Sequence, residues 1–177
     1  MASDVIERFD HPVTRMLLAS TDFTMPALEA IVGAELHIQV LRQGDVAASQ
    51  IPATVSAPLQ VSGTDRVIVR RSCLITADKV TASVNDVVAV RGLAVASGID
   101  DRHIPIGAGL ISRGVSQRRR MLRAGLTNWP DDGRLCAMRA YIMWLGDRPL
   151  CYIREVFNPD VIPPDHSPLS GNDLRPH

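Results

Sequence analysis

Apolar positions in this chain recur first at helical and then at strand spacing. After a polar opening over residues 1–11, Val13, Met16, Leu17 and Ser20 fall on one face of a helix. Pro12 is well placed to start it, because a proline in the first helical turn forfeits no intrahelical bond. Ser20-Thr21-Asp22 interrupts the pattern with N-cap residue types. A second short helix over 25–32 carries Leu28, Ile31 and Val32, and Gly33 suits its C-terminal end. Residues 36–40 alternate and predict a strand. Residues 44–64 show no period and predict a long loop punctuated by Pro52 and Pro58.

Hairpins dominate the rest. Segments 66–76 and 80–90 flank Ala77-Asp78-Lys79, and segments 135–145 and 149–157 flank Gly146-Asp147-Arg148. Between the hairpins, 91–104 predicts a loop with a helical turn, and Pro105-Ile106-Gly107 opens a short segment ending at Ile111. Two helices followed by hairpins predict the α+β class, with an antiparallel sheet covered on one face by helices. The expected organisation is a single domain over 1–159 and a Pro-rich tail over 160–177 with little structure of its own.

Composition narrows the function. Of 177 residues, 46% are apolar, too many for a disordered chain. The 19 basic residues balance 19 acidic ones, which argues against a general nucleic-acid binder. All the basic residues except Lys79 are arginines, so an anion site here uses planar guanidinium. No apolar run approaches a membrane span and no secretory signal is visible, so the expected location is cytoplasmic. Cys73, Cys136 and Cys151 suit reduced core thiols better than a disulfide frame. The scattered histidines show no ligand spacing and suggest no metal.

Strand alternation singles out residues that could carry chemistry. In the last strand Cys151, Ile153, Glu155 and Phe157 share one face, which puts a carboxylate in an apolar row. A buried carboxylate there must be paired, hydrogen-bonded or protonated. In 66–76 each mostly apolar face holds one arginine: Arg70 with Ile68, Ser72 and Leu74, and Arg71 with Val67, Val69 and Cys73. One of them points inward. An inward arginine and Glu155 could pair as a structural ion pair or jointly hold a small anion. Gly107-Ala108-Gly109 lacks the third glycine of a phosphate loop and predicts a close-packed turn. The cluster Arg113, Arg118, Arg119, Arg120 and Arg123 fits a solvated face, with Arg119 and Arg123 at helical spacing and Arg118 and Arg120 at strand spacing. Trp129 and Trp144 predict packing rather than stacking platforms.

Several segments together resemble the chorismate pyruvate-lyase family. Residues 15–25, Arg-Met-Leu-Leu-Ala-Ser-Thr-Asp-Phe-Thr-Met, followed by Leu28-Glu29, resemble its opening helix and turn. Val69-Arg70-Arg71-Ser72-Cys73-Leu74 resembles a family strand with an arginine four residues before a leucine. Pro105-Ile106-Gly107 resembles its P-L-G. Arg139, then Gly146, Pro149-Leu150 and Arg154-Glu155-Val156-Phe157-Asn158-Pro159 resemble its ending. The resemblance spans residues 13 to 159.

It implies a six-stranded antiparallel sheet with helices packed on it, enclosing a buried ligand pocket. It also implies a cofactor-free and metal-free lyase that converts chorismate to 4-hydroxybenzoate and pyruvate. In that mapping Arg70 and Glu155 are catalytic. Thr24, Arg70, Ile106 and Glu155 bind substrate, with Arg70 gripping a carboxylate through parallel hydrogen bonds. Glu155, with raised proton affinity, would relay a proton. Asp22-Phe23, Thr24, Asn85, Arg154 and Asn158 depart from the family pattern and mark places where the substrate could differ. Two alternatives follow. One keeps the fold with another small carboxylic acid, as a cyclase or dehydratase of secondary metabolism. The other is a non-enzymatic small-molecule-binding domain, since effector-sensing domains of some bacterial repressors share this general fold. Those follow a helix-turn-helix domain, for which residues 1–11 are too short. The expected partner is a small aromatic or carboxylic-acid ligand, with no nucleic acid and no membrane, on a monomer or small homo-oligomer.

Overall fold

The alternating segments pair into one antiparallel sheet in the order β1-β2-β3-β6-β5-β4. The computed structural model describes residues 5–166. Its strands are β1 His37–Ala47, β2 Arg66–Ile75, β3 Thr81–Val90, β4 Arg118–Asn128, β5 Leu135–Leu145 and β6 Arg148–Phe157. The helices are α1 Pro12–Ala19, α2 Thr24–Val32, α3 Ala53–Leu59, α4 Arg91–Ser97 and α5 Ile106–Ser112. The sheet is two meanders, β1-β2-β3 and β4-β5-β6, joined where β3 lies against β6. The link from one meander to the other runs through α4 and α5.

The expected α+β class, six-stranded antiparallel sheet and hairpins are present. The left-handed conformations of the two hairpin turns fall on Lys79 and Gly146. Gly33 ends α2 in the left-handed region, where glycine carries no Cβ penalty.

Four local expectations change. First, α1 buries Thr14, Leu17 and Leu18, while Met16 is 62% exposed. The contact face is rotated because Leu17 and Leu18 dock together into a cluster with Phe9, Leu28 and Phe157. Second, residues 44–64 are not a loop. β1 continues to Ala47, whose partner is Arg66, and a 3₁₀ turn and α3 follow. The outer half of β1 is an edge strand with polar side chains, so backbone pairing rather than apolar alternation sustains it. Pro58 sits in the last turn of α3, which buries Leu59. Third, Phe9 in the polar opening is fully buried. Fourth, part of the expected tail stays on the domain. Ile162 is fully buried, Pro163 accepts a hydrogen bond from the Thr14 hydroxyl at 2.8 Å, and His166 bridges Phe9. The remainder of the expected tail, from residue 167, lies outside the described residues.

Both faces of the sheet are covered. On one, α1 and α2 pack beside α4 and α5, and the core divides into the Leu17/Leu28/Phe157 cluster and a second around Val87, Leu110 and Tyr141. On the other, Leu59 of α3 packs with Val67 and Ile142, and Trp129 packs with Cys73, Met138 and Val156. Among the described residues, no helix is long and apolar enough to cross a membrane.

Candidate functional site

Strand register sets two inward rows side by side across the seam between the meanders. One row runs Ser72, Asn85, Glu155, Arg139, each residue opposite the next. The adjacent row runs Arg70, Val87, Ile153, Tyr141. An antiparallel sheet buried on this face would ordinarily fill both rows with apolar side chains. Here the polar members instead line, or stand behind, a cavity of about 290 Å³ between the sheet, the start of α2 and α5.

All four site residues expected from the sequence reach this cavity. Thr24 and Ile106 open α2 and α5, and Arg70 and Glu155 come from β2 and β6. Arg70 is the inward arginine of β2, and Arg71 turns away to Asp86, 3.5 Å distant. Arg70 and Glu155 do not pair with each other. The partner of Glu155 is Arg139, whose Nε donates to Glu155 Oε2 at 2.6 Å. Arg139 is fully buried and donates as well to the carbonyls of Leu17 and Ser20 and to Thr24 Oγ1. The Thr24 hydroxyl donates to Glu155 Oε1 at 2.6 Å, and the Tyr141 hydroxyl donates to the same oxygen at 3.1 Å.

This network corrects the expected proton relay. Burial alone would push the Glu155 carboxyl up. The Arg139 guanidinium and the hydrogen bonds from Thr24 and Arg139 outweigh it and hold the group below the usual carboxylate range. Glu155 is therefore ionised, and both its oxygens are already engaged. It has no proton to give and little capacity to take one. Tyr141 is shifted the other way, upward, by burial and then by the Glu155 charge. Its proton stays in the hydrogen bond.

Arg70 is anchored differently. Its Nε donates to Gln43 Oε1 at 2.7 Å, and its Nη2 donates to the carbonyls of Ile99 and Asp101 at 2.7 and 2.8 Å. These bonds tie the segment after α4 to the sheet and fix the guanidinium plane. Nη1 is buried and has no partner. Burial lowers the proton affinity of Arg70, and nearby Asp100 and Asp101 oppose that. An arginine remains charged under either influence. The result is a held, buried cation on the cavity wall with its Nη1 amino group unassigned.

Alternation could have found Arg139, which shares an apolar row with Ala137, Tyr141 and Met143 just as Glu155 shares one with Ile153 and Phe157. The arginine cluster expected on a solvated face is divided by the structure. Arg118 and Arg120 lie over the Trp144 ring at 5.3 and 5.7 Å. Arg113 packs over Gly98. Arg119 lines the cavity, between the rings of Phe23 at 4.9 Å and Tyr141 at 5.1 Å. Phe23 in turn lies against Gly107, where a Cβ would come within 2.4 Å of the ring. Gly107 thus serves close packing, though in the first turn of α5 rather than in the expected turn. Among the described residues no group of His, Cys, Asp and Glu side chains could hold a metal ion. The three cysteines are free and buried, and burial pushes the Cys151 thiol up to about 12.

No family model matches the sequence, and no curated protein matches it. Solved structures do. The effector domain of PhnF from Mycobacterium smegmatis aligns with a TM-score of 0.58 at 16% identity, over 78% of this chain and 89% of that one. The C-terminal domain of the histidine utilization repressor from Pseudomonas syringae aligns with a TM-score of 0.58 at 14% identity, over 77% and 97%. A GntR-family transcriptional regulator from Bacillus cereus aligns with a TM-score of 0.52 at 14% identity, over 77% and 100%. At these identities the likeness establishes the fold, which is chorismate lyase-like as expected. The expected lyase is corrected by what these structures are: an effector domain, a repressor's C-terminal domain and a transcriptional regulator.

Proposed function

We propose that this chain is a small-molecule-binding effector domain that takes an organic acid into the cavity over the β3–β6 seam. One observation carries the reading: Arg70 is buried, held in plane by three hydrogen bonds, and left with an unpartnered Nη1. A buried donor without an acceptor costs about 1–3 kcal/mol. A ligand carboxylate would remove that cost through a charge-assisted bond. The rest of the wall supports a binding role. Ile38, Leu74, Val87, Met143, Ile153 and Ile111 are apolar, the polar groups are few, and the volume suits a metabolite. In this reading Thr24 and Ile106 shape the far wall, and the Glu155–Arg139 pair supports it without reacting. The regulator domains of the same fold favour sensing over turnover. Three buried free thiols suit a reducing cytoplasm.

Thermal melting against a panel of small organic acids tests this. A ligand at a hundred times its dissociation constant stabilises the folded state by about 2.7 kcal/mol. For a domain of this size that raises Tm by roughly 5–10 °C. At least one acid is expected to raise Tm in that range in the wild type and to leave Arg70→Gln unmoved. A panel in which no acid shifts the wild type, or in which Arg70→Gln responds equally, overturns the proposal.

A further inference from the structure

We infer that the ligand carries a second anionic group, held by Arg119 at the β4 side of the cavity. This rests on the reading of the cavity as a binding site and adds the class of molecule it takes. Arg119 Nη1 donates to the Asp22 carbonyl, and the Phe23 and Tyr141 rings fix the guanidinium from its faces. Its Nε is buried and has no partner. The cavity wall therefore holds two guanidinium groups, each anchored by protein and each with one buried nitrogen that lacks an acceptor.

Charge around the cavity makes this asymmetric. Arg139 neutralises Glu155 at 2.6 Å. Glu29, the other acid on the wall, already accepts the Leu36 backbone N–H at Oε1. Neither Arg70 nor Arg119 has a carboxylate partner in a salt bridge among the described residues. A ligand with one anionic end would leave the buried donor of one of the two guanidiniums without an acceptor. A ligand with an anionic group at each end satisfies both.

Position agrees. Arg70 is on β2 and Arg119 on β4, with β3, β6 and β5 between them. At about 4.8 Å per strand their backbones stand ~19 Å apart along the sheet. Their side chains thus enter the cavity from opposite sides. A cavity of about 290 Å³ suits a small metabolite, such as a short chain or single ring between two acidic groups. Asn85 lies on β3 opposite Glu155, in the row next to that of Arg70, and its buried Oδ1 has no partner. It offers such a ligand one further polar contact.

Calorimetric titration of the full chain separates the possibilities. The probes are unbranched α,ω-dicarboxylates of four to eight carbons, their monomethyl esters, and phosphonocarboxylates of matching length. The last distinguish carboxylate from phosphonate at the second position. At least one two-ended acid is expected to bind ten times or more tightly than its monoester. Arg119→Gln is expected to remove that advantage, and a cooperative thermal melt shows that the variant folds. A monoester that binds as tightly as its diacid, or an advantage that survives Arg119→Gln, overturns this inference and leaves the proposed binding function standing. Absence of binding by every probe, one-ended or two-ended, overturns both.

Discussion

Glu155 is a charged side chain 5% exposed, and its ionisation depends on what surrounds it. Replacing it by glutamine would leave Arg139 buried without a counter-charge. Breaking a buried pair on one side costs about 3–5 kcal/mol, so Glu155→Gln should lower stability by about that much in denaturant titration. The pH dependence follows from the same pair. The carboxyl is held below its ordinary value of 4.5 in the fold. Its contribution is complete above that value and is lost as pH falls through the lower, folded one. The wild type should therefore lose stability below about pH 4.5 more steeply than Glu155→Gln. Identical acid limbs would contradict this. The anomaly at Glu155 was legible from alternation, and so was the inward arginine of β2. What alternation could not give was the partner. Arg139 and Glu155 stand equidistant from Asp147 on the arms of one hairpin, and the register sets them opposite each other. A register drawn from the turn at Gly146-Asp147 pairs Leu145 with Arg148 and would set Met138 opposite Glu155; the bulge between Met143 and Trp144 shifts it by one residue and brings Arg139 there instead.

At the scale of elements, strands flanked by turn residues were legible and edge or short elements were not. β5 and β6 announce themselves by apolar alternation around Gly146. β1 extends through Arg42-Gln43-Gly44-Asp45, where an edge strand exposes its side chains and the pattern vanishes while the backbone bonds remain. α3 is similarly hidden by Pro52 and Pro58, although one caps it and the other sits in its last turn. The α5 contact with Phe23 gives a test in which two effects oppose each other. Alanine in a helix interior is favoured over glycine by roughly 0.5–1 kcal/mol. At Gly107 the added Cβ would meet the Phe23 ring at 2.4 Å, and overpacking costs about 1–3 kcal/mol. The clash should win. Gly107→Ala should be destabilising, and adding Phe23→Leu should restore part of the loss, because the obstructing ring edge is removed. A stabilised single variant would show that the ring is free to move.

For the whole molecule, the two meanders meet at β3 and β6, and the cavity lies over that seam. α2 belongs to the chain before the first meander, and α5 to the link between the two. Every wall thus comes from a different stretch of sequence, which is why single motifs suggested the residues without their arrangement. The fold expected from the family resemblance is the fold observed, and the reaction expected from it is not supported. On the cavity wall the Glu155 carboxylate is already engaged by Arg139, Thr24 and Tyr141.

The most direct measurement is a crystal structure of the full chain with the acid that raises its melting temperature most. The account predicts an intact ligand in the cavity, an anionic oxygen about 2.7–2.9 Å from Arg70 Nη1, and an unbroken Glu155–Arg139 pair. A ligand seated away from Arg70, or one chemically altered with Glu155 turned toward it, would contradict it.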